Sequence, residues 1–327
     1  PRSRHSRGGQ ERREDVSDAF DALYVGSQYL WRSTDEGSSW RKISPDLTRA
    51  EAATLDNSGG PVVMDQDGPE IYATLYALAP SPHEAATIWT GSDDGLLHVT
   101  RDSGNSWSNV TPPDMPAHTR ITIIDVSPHD AATAYVAGIR YEMDDRSPYA
   151  WRTNDYGSSW TKIVDGIPPD DFVRVIREDP YRKGLLYSGT ENGVYVSFDD
   201  GANWADLSYD LPDTPVTGLS VQDRDLVIST HGRSFWVLDD IETLRQIDAD
   251  VAKSGDHLFD PADAIRRSVP AVIDYHLRGS DRMVHLEVLD AEGNIVRTLF
   301  EGTRDQGTHR ETWNLRHPGA VTFDGIV

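Results

Sequence analysis

The chain contains no cysteine, so neither disulfide bonds nor thiolate metal ligands can hold its fold together. No apolar run approaches the ~20 residues that a transmembrane helix needs, so we expect no membrane insertion. Basic residues are scarce as well: 31 lysines and arginines stand against 54 aspartates and glutamates, which gives a net charge of −23. Such a composition offers no basic surface to release counterions from phosphates, which argues against a nucleic-acid partner.

Motifs for cofactors and metals are missing too. The sequence contains no EF-hand loop and no phosphate-binding loop. Residues 83–87 begin with His-Glu but lack the second histidine of a zinc-binding helix, and they follow two prolines that favour a turn. We therefore predict that the chain binds no cofactor and no metal ion.

One eight-residue motif occurs four times. Each copy begins with serine or threonine, carries aspartate at its third position and glycine at its fifth, and ends in tryptophan. Successive copies begin roughly 45 to 65 residues apart, which is typical of a repeated supersecondary unit and not of a catalytic signature. The copies span residues 33–40, 100–107, 153–160 and 197–204.

The residue types of this motif predict a tight turn followed by a strand. The aspartate can accept hydrogen bonds from the next backbone N–H groups, and the glycine supplies a positive φ without a Cβ clash. The tryptophan starts the next strand and buries its ring against the neighbouring unit. We interpret the motif as a folding device. Its structural residues are Asp35, Gly37, Trp40, Asp102, Gly104, Trp107, Asp155, Gly157, Trp160, Asp199, Gly201 and Trp204.

The four copies resemble the Asp-box, or BNR, repeat, which implies an all-β fold: a β-propeller of four-stranded blades. Sialidases, xyloglucanase-type glycoside hydrolases, sortilin-type receptors and photosystem assembly factors all carry this repeat, so it implies little about function. A fifth unit, residues 216–240, keeps the strand pattern but lacks the glycine and tryptophan, and we interpret it as a decayed copy. Because propellers usually need more blades to close, we expect the missing blades from upstream sequence or from another chain.

The periodicity changes after Asp240. Apolar residues alternate in 284–289 and 295–300 around a Glu-Gly-Asn turn, which predicts an antiparallel hairpin. Residues 293–299 and 313–315 resemble strands of the Ig-like sandwich of secreted bacterial proteins. We therefore divide the chain into a disordered or interdomain segment (1–19), propeller blades (20–247), a polar linker (248–269) and a partial Ig-like β-sandwich (270–327).

Three further segments support a closer resemblance. Residues 43–49, 230–240 and 313–319 resemble large secreted bacterial proteins with sortilin-like propellers. Proteins of that group are often labelled glycosyl hydrolases on repeat content alone. The resemblance covers nearly all of residues 20–327 and implies a secreted or periplasmic location.

Propellers usually bind ligands on the face opposite the Asp-box turns, near the central channel. On that face, the loop 140–149 mixes aromatics, carboxylates and arginines, as a polar-ligand or sugar site would; a solvated loop held by its own ion pairs is the alternative. Residues 230–233 are a second candidate, since histidine titrates near neutral pH and arginine can hold a carboxylate bidentately. The predicted ligand-binding residues are Arg140, Tyr141, Arg146, Tyr149, His231 and Arg233.

A glycoside hydrolase would instead need two carboxyl groups roughly 5 to 9.5 Å apart. An acidic protein offers many such pairs, so sequence alone does not select one. The candidate catalytic carboxylates are Asp93, Asp144, Asp145 and Glu191. We interpret the chain as a binding or scaffold protein for a polysaccharide or peptide, with a xyloglucanase-like glycoside hydrolase as the alternative.

Overall fold

The computed structural model describes most of the chain in two units. One unit ends at Asp239 and the other begins at Asp240. The predicted disordered segment 1–19 and the last part of the predicted Ig-like region, from 318 onward, lie outside the described residues. The described residues are 22–56, 60, 62, 71–266 and 268–317.

In the first unit, the described strands form five antiparallel sheets, and the strands of each sheet follow one another along the chain. The first three sheets are β1 (Leu23–Gly26), β2 (Leu30–Ser33) and β3 (Arg41–Lys42); β4 (Leu75–Pro80), β5 (Ile88–Ser92), β6 (Leu97–Thr100) and β7 (Ser108–Asn109); and β8 (Arg120–Val126), β9 (Ala134–Arg140), β10 (Asp145–Thr153) and β11 (Thr161–Lys162). The other two are β12 (Val173–Glu178), β13 (Leu186–Thr190), β14 (Val194–Ser197) and β15 (Ala205–Asp206); and β16 (Val216–Gln222), β17 (Asp225–Thr230) and β18 (Phe235–Leu238).

The first strands of successive sheets pack against one another, so the sheets are arranged as neighbouring blades with β4, β8, β12 and β16 innermost. Each of these inner strands carries a bulge near its start, where the register against the second strand shifts. A bulge inserts one extra residue and increases the local twist. The same distortion therefore recurs at one end of all four inner strands.

The core lies between adjacent sheets. Strands β5 and β13 are buried along their whole length, because each is covered on both faces. Gly91 in β5 allows the next sheet to approach closely, since a Cβ there would lie only 2.4 Å from Ile121 Cγ2. The largest fully buried rings in these layers are Trp89, Tyr135, Trp151 and Tyr187.

Each repeated motif closes a turn by the same set of hydrogen bonds. In the first copy, Asp35 Oδ1 accepts from the Ser39 N–H at 2.9 Å, and Ser33 Oγ accepts from the Gly37 N–H at 2.9 Å. Hydrogen bonds from the Ser39 hydroxyl and N–H and from Ser33 lower the pKa of Asp35 to about 2. The glycine has φ +86°, and Glu36 before it has φ 56°, so two left-handed residues turn the chain.

Three of the four motif tryptophans connect neighbouring sheets. Their indole Nε1 groups donate to backbone carbonyls that follow the outer strand of the preceding sheet: Trp107 to Ile43 at 3.0 Å, Trp160 to Val110 at 2.7 Å and Trp204 to Ile163 at 2.9 Å. The motif glycines pack on the same residues. A Cβ at Gly104, for example, would lie 2.4 Å from the Ile43 carbonyl oxygen.

The first copy differs from the other three. Trp40 is 40% exposed, and a Cβ on Gly37 would meet nothing closer than 3.7 Å. The expectation that every motif tryptophan is buried against a neighbouring unit is therefore wrong for Trp40. The physical reason is that none of the described residues forms a preceding sheet for this copy to pack on.

His98 provides a pH dependence that unfolding experiments can detect. Its Nδ1 is buried without a hydrogen-bond partner among the described residues, and burial lowers the pKa of His98 from 6.5 to about 4, against a smaller opposing effect of Asp94. Protonation therefore favours the unfolded chain, so the stability is complete above pH 6.5 and is lost as the pH falls from 6.5 through about 4. We expect His98→Gln to remove on the order of 2 kcal/mol of this loss.

The measurement is urea unfolding of wild type and His98→Gln at pH 7 and pH 4.5, with the difference between the two proteins compared across pH. Because two proteins are compared at two pH values, the contributions of the other ionisable groups to the unfolding free energy cancel. An equal loss of unfolding free energy in both proteins would contradict this role of His98.

The second unit has two short helices and two small sheets among its described residues. The helices are Glu242–Gln246 and Ala249–Lys253, and the Asp248 carboxylate caps the second of them. The stretch predicted as a linker, 248–269, thus contains a helix and β19 (His257–Leu258), which pairs with β20 (Ala271–Leu277). No helix in the described part of the chain is long and apolar enough to cross a membrane.

The predicted C-terminal hairpin is present. Strand β21 (Arg282–Leu289) pairs with β22 (Ile295–Arg304), and β20 pairs with β23 (Gly307–Trp313). Alternate residues of β21 are exposed and half-buried, as its period-two pattern predicts. Between the two strands, Asp290 accepts from the Asn294 N–H at 2.8 Å and so fixes the turn.

Candidate functional site

The loop singled out on the third sheet is shorter than the sequence suggests. Residues 140–149 are predicted as a loop, but β9 runs through Arg140 and β10 begins at Asp145, because these two residues pair with each other. A register shift between Asp145 and Tyr149 absorbs the extra residues. What remains is one 3-10 turn, Tyr141–Met143, which ends at Asp144 with φ 57°.

Asp145 accepts hydrogen bonds from residues on both sides of this turn. Its carboxylate accepts from Arg140 Nε at 3.0 Å, from Tyr149 Oη at 2.8 Å and from the Ser147 N–H at 3.1 Å. Burial alone would raise the pKa of Asp145, but the hydrogen bonds from Tyr149, Ser147 and Arg140 outweigh it and lower the pKa. Arg140 also donates to the carbonyl of Ala117. Arg140, Asp145 and Tyr149 are therefore fully engaged with one another.

Tyr141, in the turn itself, stacks on Phe172 of the neighbouring sheet. Its ring lies 5.4 Å from the ring of Phe172 at an interplanar angle of 22°. Phe172, just before β12, is 1% exposed, whereas Tyr141 is 40% exposed. The guanidinium of Arg174 lies 4.9 Å from the centre of the Phe172 ring, and that of Arg146 lies 5.4 Å from it. Cation–π attraction and stacking thus hold the turn of one sheet on the inner strand of the next.

Two ion pairs flank the stacked rings. Arg174 Nη2 lies 2.6 Å from Glu191 Oε2, and Arg120 Nη1 lies 2.7 Å from Glu142 Oε1. Glu191 is therefore held by an arginine at the entrance of β12.

Two charged side chains remain unpaired within the described residues, one at the end of the turn and one at the start of β10. The guanidinium of Arg146 lies 5.4 Å from the centre of the Phe172 ring, and neither it nor the carboxylate of Asp144 has a hydrogen bond or an ion pair among the described residues. Both side chains are exposed, two positions apart, beside the exposed Tyr141. We call these three residues, Tyr141, Asp144 and Arg146, the turn triad.

The other candidates form no hydrogen bond or ion pair with the turn triad among the described residues. Asp93 is 6% exposed and accepts from the Thr74 N–H at 2.8 Å and the Thr74 hydroxyl at 3.2 Å. Burial raises the pKa of Asp93, although the bonds from Thr74 oppose this effect. His231 and Arg233 flank Gly232 in an exposed turn at φ +93°, and no hydrogen bond or ion pair between described residues joins them to the turn triad.

Sequence reasoning missed the residues that support the turn triad. Phe172, Arg174 and Arg120 lie at or near the starts of inner strands β12 and β8. The first two strands of a sheet are antiparallel, so the start of an inner strand lies at the same end as the turn between the second and third strands. Aligning the inner strands by this rule would have found them. Within the described residues, no cluster of His, Asp and Glu could hold a metal ion.

Comparisons with known proteins identify the fold. No family model matches the sequence. The vacuolar protein sorting/targeting protein 10 of Uncinocarpus reesii is 31% identical over an alignment of 113 residues, and the match covers 32% of this chain and 7% of that protein.

Two solved structures cover more of the chain. The crystal structure of an ancestral GH74 enzyme has a TM-score of 0.50 at 16% identity and covers 85% of this chain and 36% of its own. The GH74 xyloglucanase of Xanthomonas campestris has a TM-score of 0.51 at 18% identity and covers 77% of this chain and 41% of its own. The chain thus spans well under half the length of each of these three proteins. These likenesses confirm the all-β propeller fold.

Proposed function

We propose that this chain is part of a secreted or periplasmic bacterial Asp-box propeller protein that binds a polysaccharide or peptide through the turn triad. In this proposal, residues 20–247 are propeller blades, 248–269 link them to a partial Ig-like module, and further blades come from upstream sequence or another chain. The exposed first motif is consistent with such a neighbour, since Trp40 occupies the position of three tryptophans that pack on a preceding sheet.

The observation that carries the proposal is the contrast between the turn triad and its surroundings. Arg140, Asp145 and Tyr149 neutralise and hydrogen-bond one another, which fixes the backbone of the turn. The turn and the start of β10 then expose an aromatic side chain, an unpaired cation and an unpaired carboxylate. Rigid support beneath exposed, mixed functional groups is what a recognition site requires, because a preorganised site loses little entropy on binding.

Binding fits this arrangement better than hydrolysis. A glycoside hydrolase needs one carboxylic acid with a raised pKa and a second carboxylate across the scissile bond. Of the four candidate carboxylates, Asp93 has the raised pKa, but it is buried and bonded to Thr74. Asp145 has a lowered pKa, and Glu191 is paired with Arg174. Asp144 alone is exposed and unpaired among them.

Affinity electrophoresis of the chain in gels containing plant and microbial polysaccharides tests the proposal, with a peptide array as the second arm. We expect retention on at least one ligand and a roughly 10-fold or greater loss of affinity in Tyr141→Ala, because a stacked aromatic ring is removed. Trp40→Ala is the matched control, since Trp40 is also 40% exposed but lies in an Asp-box turn.

Three outcomes would overturn the proposal. These are the absence of binding to any polysaccharide or peptide, an equal loss of affinity in Tyr141→Ala and Trp40→Ala, and release of reducing ends that Asp144→Asn and Asp145→Asn abolish. The last result would establish the chain as a glycoside hydrolase.

A further inference from the structure

The geometry of the turn triad points to a carboxylate-bearing glycan as the ligand: we infer that Arg146 binds the carboxylate of a uronic acid while Tyr141 stacks on its pyranose ring. This inference rests on the proposed function and names the ligand class of the same site.

Arg146 is distinguished from the other arginines around it. Arg120, Arg140 and Arg174 each form an ion pair with a carboxylate at 2.6 to 3.0 Å. Arg146 has no such partner among the described residues, although acidic side chains outnumber basic ones by 54 to 31 in this chain. A guanidinium presents a planar fork of donors that matches a carboxylate bidentately. We therefore expect the ligand to supply the carboxylate that pairs with Arg146.

The Phe172 ring orients this guanidinium. Arg146 lies over a ring that is 1% exposed and already covered by Tyr141 and Arg174. The N–H groups of Arg146 have no acceptor among the described residues. The contact with the ring restricts the side chain, so less conformational entropy is lost when the guanidinium binds a carboxylate.

The other two members of the turn triad match the rest of a sugar. Tyr141 stacks on Phe172 with one face, and 40% of its surface remains exposed for the apolar face of a pyranose ring. Asp144 has a free carboxylate that can accept hydrogen bonds from sugar hydroxyls. An extended peptide is usually recognised through a free strand edge, whereas Tyr141 and Asp144 lie in a turn and Arg146 lies at the irregular start of β10.

The net charge of the chain disfavours glycans with a high density of negative charge. A protein with a net charge of −23 repels a polymer with a carboxylate on every sugar. One unpaired arginine can balance a single carboxylate. We therefore expect a polysaccharide with isolated uronic acids on a neutral backbone to bind more tightly than a polyuronate.

Glucuronoxylan, which carries isolated uronates, is the test ligand, and the same polymer after chemical reduction of its carboxyl groups is the matched neutral ligand. We expect carboxyl reduction and Arg146→Gln each to weaken binding about 10- to 100-fold, and Arg146→Lys to have an intermediate effect because it keeps the charge but loses the fork. Arg101→Gln is the control: Arg101 is exposed and lies 3.8 Å from the centre of the Tyr156 ring, but in an Asp-box turn.

The outcomes separate this inference from the proposed function. Equal binding of native and reduced glucuronoxylan, with Tyr141→Ala still impaired, would overturn the inference that a carboxylate is recognised and leave the proposed function standing. Binding of a carboxylate-rich peptide but of no glycan, dependent on Arg146, would overturn the inference that the ligand is a glycan and leave the chain as a binding protein. No binding of any polysaccharide or peptide would overturn both. An equal effect of Arg101→Gln and Arg146→Gln would overturn the assignment to the turn triad.

Discussion

Replacing Trp204 with alanine is expected to lower the free energy of unfolding of the first unit by about 3–5 kcal/mol, whereas the same change at Trp40 should cost about 1 kcal/mol. Trp204 is 6% exposed and its indole donates to the Ile163 carbonyl at 2.9 Å. Its removal leaves a cavity between two sheets and an unsatisfied carbonyl group. Trp40 is 40% exposed and packs on no preceding sheet among the described residues, so its removal loses less buried apolar surface and opens no cavity between two sheets.

The two variants are matched, because both tryptophans end a copy of the same motif. Urea unfolding followed by far-UV circular dichroism measures both, since this signal does not depend on the removed indole. Equal losses of unfolding free energy would contradict the conclusion that packing between sheets, rather than the turn itself, makes the tryptophan stabilising.

A second large effect is expected at Asp125. Its carboxylate accepts from Arg177 Nη1 at 2.7 Å and from the Glu178 N–H at 2.8 Å, and Arg177 Nε donates to the Leu219 carbonyl at 3.2 Å. One carboxylate thus connects inner strands β8 and β12, and through Arg177 also β16. Burial raises the pKa of Asp125, although the nearby Arg177 lowers it in part.

Asp125→Ala should lower the unfolding free energy by about 3 kcal/mol, because it leaves a guanidinium and a backbone N–H without their acceptor. The value lies at the low end for a buried pair because the Arg177 side chain remains 32% exposed. Asp125→Ala combined with Arg177→Met should recover part of the loss. The contrasting surface pair is Lys183 and Asp130, 3.8 Å apart with the lysine 63% exposed.

Lys183→Ala is therefore expected to change the unfolding free energy by less than about 0.5 kcal/mol. Urea unfolding of all three variants at pH 7 compares them directly. A loss below about 1 kcal/mol in Asp125→Ala would show that the network between the inner strands contributes no more than a surface ion pair.

The strands of the first unit follow from local sequence. Residues 173–178 and 194–197, for example, form β12 and β14. The reason is that each short apolar run is bounded by glycine, proline, asparagine or aspartate, whose conformational preferences act within a few residues. The four motif turns follow for the same reason, since their hydrogen bonds join residues no more than four positions apart.

The candidate site was only partly accessible from sequence. Composition drew attention to residues 140–149 because aromatics, carboxylates and arginines occur together there. It could not separate Arg140, which is paired with Asp145, from Arg146, which has no carboxylate partner in the described part of the chain. That distinction depends on the register between β9 and β10 and on the position of Phe172 in the next sheet.

The sequence by itself therefore determined the repeat, its turns and the all-β class, because these depend on contacts between residues close along the chain. It also supplied the residue types of the turn triad. Only the tertiary structure decided which of four identical tryptophans is exposed, which arginine is free and which carboxylates are engaged. These properties depend on the neighbouring sheet, whose contacting residues lie about 40 to 65 positions away along the sequence. Local patterns carry no information about such contacts, since burial and pairing are set by whichever surfaces the folded chain brings together.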